Sequence, residues 1–177
     1  MTKKQIAALK RIVDRENFRN NKDKCPGDDG YIPGGVHPSD AGYVVTDGYI
    51  AVLFPEKPDG ISEADRLEHI GKIVTDEREN GNHVLIEEKF PLDDWKKFAR
   101  QEEKLGNQPR VTIGGNTDFN PRLVVDAMEA IGTGAMAYLG CTSKRTSYNT
   151  LLIYPKDWMD DPDNCPVAFV LPFRRKT

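Results

Sequence analysis

The pattern of apolar and polar positions changes period several times along this chain. From residue 42 to 54 it reads GYVVTDGYIAVLF, two apolar runs meeting at Asp47 and Gly48. β-branched and aromatic residues suit a pleated surface, and an Asp-Gly pair tolerates the positive φ that a two-residue loop needs. The stretch therefore predicts a hairpin in which Val44, Val45 and Thr46 pair with Tyr49, Ile50, Ala51 and onward. Upstream the period is helical. On a 3.6-residue wheel Ile6, Leu9, Ile12 and Val13 share one face, and Lys3, Lys4, Lys10, Arg11 and Arg15 fall on the other. This first helix should be apolar inward and basic outward.

Between helix and hairpin, NNKDKCPGDDGYIPGGVHPSDAG is too rich in Gly, Pro, Asn and Asp for regular structure, apart from a short strand expected near Tyr31 to Val36. After the hairpin the chain turns polar up to about residue 82, with a short helix expected around Ser62 to Ile70, where SEAD supplies an N-cap serine and early acids. HVLIEEKF then reads as a strand and PLDDWKKFARQEEKL as a second amphipathic helix with Pro91 in its first turn. Leu92, Trp95, Phe98 and Ala99 make its apolar face, with Lys96, Lys97, Arg100 and Lys104 opposite. PRVTIGG is a further strand.

NPRLVVDAMEAIG predicts a third helix capped by Asn120, started by Pro121 and stopped at Gly132, with Leu123, Val124, Ala127, Met128 and Ile131 inward and Arg122, Asp126 and Glu129 outward. AMAYLGCTS, NTLLIYP and PVAFVLPF are short apolar runs bounded by turns, hence strands. The last should lose its ladder near Leu171, because Pro172 cannot donate, and should be covered on both faces for most of its length. Strands and helices do not alternate one for one. The expected class is α+β, with largely antiparallel sheets and two or three amphipathic helices on one side.

A length of 177 residues fits one elaborated domain, and no apolar run approaches the membrane-spanning length of about 18 residues, so no membrane partner is expected. The first residues lack the apolar core of a secretory signal, which makes the cytoplasm the expected location. Cys25, Cys141 and Cys165 are odd in number and widely spaced, fitting neither a disulfide framework nor a metal half-site. The net charge of -3 is unevenly spread: residues 1 to 24 hold eight Lys or Arg against three acids, and residues 56 to 89 hold ten acids against five bases. That asymmetry is a reason to look for a polyanion-facing surface at one end, although charge runs are more often simply solvated faces.

Catalytic patterns are sparse. His37, His69 and His83 fall in loops or exposed segments without metal-ligand spacing, GDDGYIPGG lacks the closing Gly-Lys-Ser/Thr of a phosphate loop, and the acids from Asp157 to Asp163 lack the glycine and distal glutamate of a calcium loop. No enzyme, cofactor or metal is expected. Exposed Lys and Arg on rigid helices are instead what backbone contact with nucleic acid requires.

Three segments, taken together and in order, resemble the bacterial DNA sliding clamp, the β subunit of DNA polymerase III. VVTDGYIAVLF is similar to that family's ATDGHRLA hairpin, and FNPRLVVDAMEAIG resembles its FNxxYLLDALKAL helix. LLIYP followed by CPVAFVLPFRRKT is similar to the LLI(R)P strand and the closing YVIMPMRL strand. The resemblance implies a DNA-clamp-like domain whose hairpin lies in an outer sheet and whose helices line the inner side of a ring. It implies one elaborated domain over residues 1 to 177, with an insertion at about 56 to 115 unless HVLIEEKFPLDDWKKFAR is itself part of a second, condensed repeat. A clamp chain has three such domains, so encircling DNA would require a homo-oligomer here.

The implied function is a processivity or tethering factor contacting double-stranded DNA without sequence specificity, through Lys3, Lys4, Lys10, Arg11 and Arg15, and through Lys96, Lys97, Arg100 and Lys104. The alternative is a clamp-fold module that binds a protein and not DNA. The family's peptide pocket maps onto Tyr49, Ile50, Leu171, Pro172, Phe173 and Arg174, where a clamp-binding peptide would dock, although Tyr49 and Ile50 replace the family's usual His and Arg.

Overall fold

The computed structural model describes residues 1–68, 81–115, 117–142 and 149–173. Helix α1 (Lys3–Asn20) starts at a capping box: Gln5 N–H donates to Thr2 Oγ1, and the Thr2 N–H donates to Gln5 Oε1. Strands β1 (His37–Ser39), β2 (Gly42–Thr46), β3 (Ile50–Phe54) and β4 (Gly81–Leu85) follow, then α2 (Leu92–Lys104) and the small pair β5 (Val111–Ile113) and β6 (Thr117–Phe119). Helix α3 (Pro121–Ile131), β7 (Met136–Thr142), β8 (Asn149–Tyr154), a 3₁₀ turn (Trp158–Asp160) and β9 (Val167–Val170) complete the described elements.

Seven strands form one sheet in the order β1-β2-β3-β9-β8-β7-β4, each neighbour antiparallel to the next. The order is nearly palindromic about the β3·β9 pair, where Ile50 faces Val170 and Leu53 faces Val167. On one side lies the unit α1-β1-β2-β3 and on the other α3-β7-β8-β9. Period-two alternation sorts the strands between two cores. Val45, Val52, Leu151, Ile153, Ala168 and Val170 pack with Leu9 and Ile12 of α1 and with Val124 and Ala127 of α3. Val44, Leu53, Leu152, Tyr154, Val167 and Phe169 point to the opposite face, packing with Tyr138 and Trp158. The protein is thus α+β, with its helices against one face of a largely antiparallel sheet. β9 is buried along its whole length, and its ladder ends as its proline requires: Leu171 N–H still donates to Tyr49 O, at 2.9 Å, and Pro172 follows.

The third helix forms as its sequence indicates. Asn120 Oδ1 accepts from Arg122 N–H at 2.9 Å, Pro121 occupies the first turn, and Gly132 ends the helix at φ 116°. Gln5 of α1 donates to the terminal carbonyls of Ala130 and Ile131, satisfying acceptors that the helix end leaves open. Replacing Asn120 by Ala is expected to cost about 1 kcal/mol, read as a lower urea midpoint at unchanged slope.

Four local expectations need correction. The hairpin turns on Gly48 and Tyr49 and not on Asp47 and Gly48: Asp47 N–H donates to Ile50 O, and Thr46 pairs with Ala51. Gly48, at φ 88°, still supplies the positive φ. Residues 31–36 form no strand beyond a single parallel bridge from Val36 to Glu63. Residues 62–68 are not helical, because Ser62 O accepts from Val36 N–H and Ala64 N–H donates to Val36 O, so a tertiary pairing overrides the local cap signal; the expected helix's last residues, His69 and Ile70, lie outside the described residues. His37 is buried, at 5% exposure, in β1.

Candidate functional site

The charged face of the helix layer is the richest chemistry in the described residues. Positions 4, 11 and 15 of α1 form one stripe, and residues 126 and 129 sit three apart on the facing side of α3. The two stripes interlock. Arg11 Nε donates to Asp126 Oδ1 at 2.7 Å and its Nη2 to Glu129 Oε2 at 2.6 Å. Arg15 bridges Asp126 and Asp47, both at 2.5 Å. Lys4 reaches Glu129 at 3.2 Å, and Lys96 of α2 reaches the same carboxylate at 2.5 Å. A continuous chain of charge thus ties the hairpin turn to all three helices.

Helical period places Asp126 and Glu129 on the outer face. They are instead 1% and 5% exposed, and Asp47 is 2% exposed. Buried carboxylates require this degree of pairing, since an unpaired ion in a low-dielectric site is strongly disfavoured. Burial pushes the Glu129 carboxyl up, but hydrogen bonds from Lys96, Lys4 and Arg11 outweigh it and hold the group below its ordinary range. Burial likewise opposes charge on Arg11 and Arg15, yet the carboxylates around them leave both guanidiniums more firmly protonated than in water.

Asp47 serves the turn in two ways. Its Oδ1 accepts from the N–H groups of Tyr49 and Ile50, its Oδ2 takes Arg15, and its carbonyl accepts from Arg19. Thr46 Oγ1 accepts from Gly48 N–H and donates to Ile50 O. The Thr-Asp-Gly turn is therefore tight because it is anchored to α1 as well as closed on itself.

The sequence-nominated cations consequently divide. Lys3, Lys10, Arg100 and Lys104 are exposed and take part in no ion pair among the described residues. Lys97 makes only an exposed helical pair with Asp94 at 3.8 Å. Lys4, Arg11, Arg15 and Lys96 hold the helix layer together. Together the three helices carry eleven Lys and Arg against eight acids, so this layer is cationic within a chain whose net charge is -3.

At the far end of the β3·β9 pair, Tyr49 and Leu171 stand beside each other, 63% and 47% exposed. Ile50 belongs to the core. Pro172 and Phe173 are half-buried; Arg110 stacks over the Phe173 ring at 4.6 Å, and Phe173 N–H donates to Asp118 O. Arg174, Asn116, His69 and the side chain of Cys141 lie outside the described residues. Among the described residues neither Cys25 nor Cys165 forms a disulfide.

Among the described residues no helix is long and apolar enough to cross a membrane. Compared with family models, with curated proteins and with solved structures, the chain finds no match in any of the three.

Proposed function

We propose that the protein is a clamp-like module that lies against the backbone of duplex DNA through its helix layer. The observation that carries this reading is the cationic, three-helix face, rigidly set on one side of a sheet built from two αβββ units. Sequence-independent contact needs dispersed cations on a stiff surface, and Lys3, Lys10, Lys97, Arg100 and Lys104 meet that need without disturbing the ion-paired set. Lys4, Arg11, Arg15 and Lys96 act mainly by holding α1, α2 and α3 in register, with their remaining exposed edges adding to the field. One such domain cannot surround a duplex, so encirclement takes several copies of the chain, and the mass in solution decides between a ring and side-on contact.

The test is a salt titration of duplex binding. Affinity should fall steeply with salt, and the Lys3→Glu, Lys10→Glu double variant should reduce the log-log slope by about 2, because each phosphate that a lysine neutralises adds roughly 0.9 to it. Absence of binding at low salt by a folded protein overturns the reading.

A second reading rests on Tyr49 and Leu171, whose paired exposure at a strand end is suited to docking a clamp-binding peptide in place of DNA. A Tyr49→Ala, Leu171→Ala variant should then keep its melting temperature and lose the peptide. A peptide bound equally well by the variant removes that reading.

A further inference from the structure

Residues 61–67 run along the β1 edge as a strap. Val36 N–H donates to Ser62 O at 2.8 Å, Ala64 N–H to Val36 O at 2.9 Å and Leu67 N–H to Pro38 O at 2.9 Å. Ile61 packs on the helix-side core and Leu67 on the opposite one, so the strap closes both layers at an edge that would otherwise present open backbone groups. Gly35 permits this approach: a Cβ there would collide with the Ser62 carbonyl oxygen.

A buried histidine joins the strap to α1. His37 Nδ1 lies 2.6 Å from Asp65 O, and Nε2 lies 2.8 Å from Glu16 Oε1. A carbonyl oxygen only accepts, so Nδ1 must carry a proton and donate to it. A second proton must then sit between Nε2 and Oε1, since without it two lone pairs would face each other out of contact with water. Glu16 Oε2 is already occupied by Gly35 N–H at 3.2 Å. The charged and titratable groups around the ring are Glu16 from α1, and Asp65 from the strap, which also holds Arg66 and Glu63, the latter paired to Lys57 at 2.7 Å. On β2, Tyr43 is the one titratable residue.

We infer that residues 61–67 form a pH-gated strap, held shut over the β1 edge by the proton shared between His37 and Glu16 and released when that proton leaves. The hydrogen bond to Glu16 raises the His37 pKa above 6.5, burial opposes it, and the Asp65 carbonyl adds to the rise. Closure is therefore fully supported below the ordinary histidine value of about 6.5 and weakens as pH climbs through the raised value of the closed form. The open population therefore grows with pH between the ordinary value and the raised one, by at most about tenfold per pH unit, and levels off above the raised value, where both forms have lost the proton.

Amide hydrogen exchange from pH 6 to 9, corrected for the intrinsic alkaline acceleration, tests this on the intact chain. Protection at Val36, Ala64 and Leu67 should fall as pH rises above about 6.5 and then level off, while Leu152 and Ala168 in the sheet centre stay constant. Imidazole nitrogen shifts should place the His37 midpoint above 6.5. In Glu16→Gln the amide can donate to a neutral His37 and still accept from Gly35, so strap protection should become independent of pH. Strap protection that is flat with pH in the parent, a His37 midpoint at or below 6.5, or an unaltered pH dependence in a folded Glu16→Gln protein would each overturn the inference; the first two measurements stand even if that variant does not fold.

Discussion

Replacing Asp126 by Ala should lower the unfolding free energy by about 3 kcal/mol, the low end of the range for breaking a buried ion pair. The carboxylate is buried and accepts from both Arg11 and Arg15, so its loss breaks two ion pairs at once and leaves Arg11 with Glu129 alone and Arg15 with Asp47 alone. The effect is set at the low end because Glu129 and Asp47 still pair the two arginines, which also keep 38% and 28% of their side-chain surface. Lys10→Ala, one position from Arg11 and outside the network, should change stability by less than about 0.5 kcal/mol. Urea denaturation of both variants at pH 7 makes the comparison. A loss below about 1 kcal/mol for Asp126→Ala would mean that the Asp126 pairs contribute no more than surface ion pairs do. Acid should weaken the same network, because the Glu129 contribution, complete above the ordinary carboxyl pKa, is lost as pH falls through its depressed value.

A larger loss, about 3–5 kcal/mol, is expected for Tyr154→Ala. Tyr154 is fully buried on the helix-free face, stacked on Trp158 at 4.4 Å and meeting Tyr138 edge-on at 5.8 Å, while Trp158 Nε1 donates to Tyr138 Oη at 3.0 Å. Truncation removes the ring that locks the 3₁₀ turn onto the sheet, so Trp158 emission should shift to the red together with the fall in melting temperature. A near-neutral result would show that this face is a surface and not a second core.

The sequence carries the elements better than their partners. Helix α3 is legible to the residue, because Asn120, Pro121 and Gly132 act through local backbone chemistry, and the alternation in β9 is legible because both of its faces are apolar. Asp126 and Glu129 are misplaced for a definite reason. Helical periodicity assigns polar residues outward by default, and their burial depends on arginines more than a hundred positions away in α1. Phe98 shows the converse, an apolar residue counted inward that remains 38% exposed. His37 and Glu16 carry no shared signal either, since only the fold brings β1, α1 and the strap together. The turn register escapes the sequence because the Asp-Gly preference is strong, and the anchoring of Asp47 by Arg15 is invisible from the hairpin alone.

The placement of β9 also imposes a timetable on synthesis. It is the last described strand in sequence, yet it sits mid-sheet between β3 and β8 and is what makes one sheet of the two halves. A nascent chain can form the β2–β3 hairpin early, but that hairpin must wait for residues 167–170, a delay of roughly ten seconds at about 5–20 residues per second. Throughout the wait Val52 and Leu53 lie on an open ladder edge, and the β7–β8 hairpin emerges with Leu151 and Leu152 equally uncovered. Newly made chains are therefore at their most aggregation-prone just before β9 becomes free to insert between the two halves.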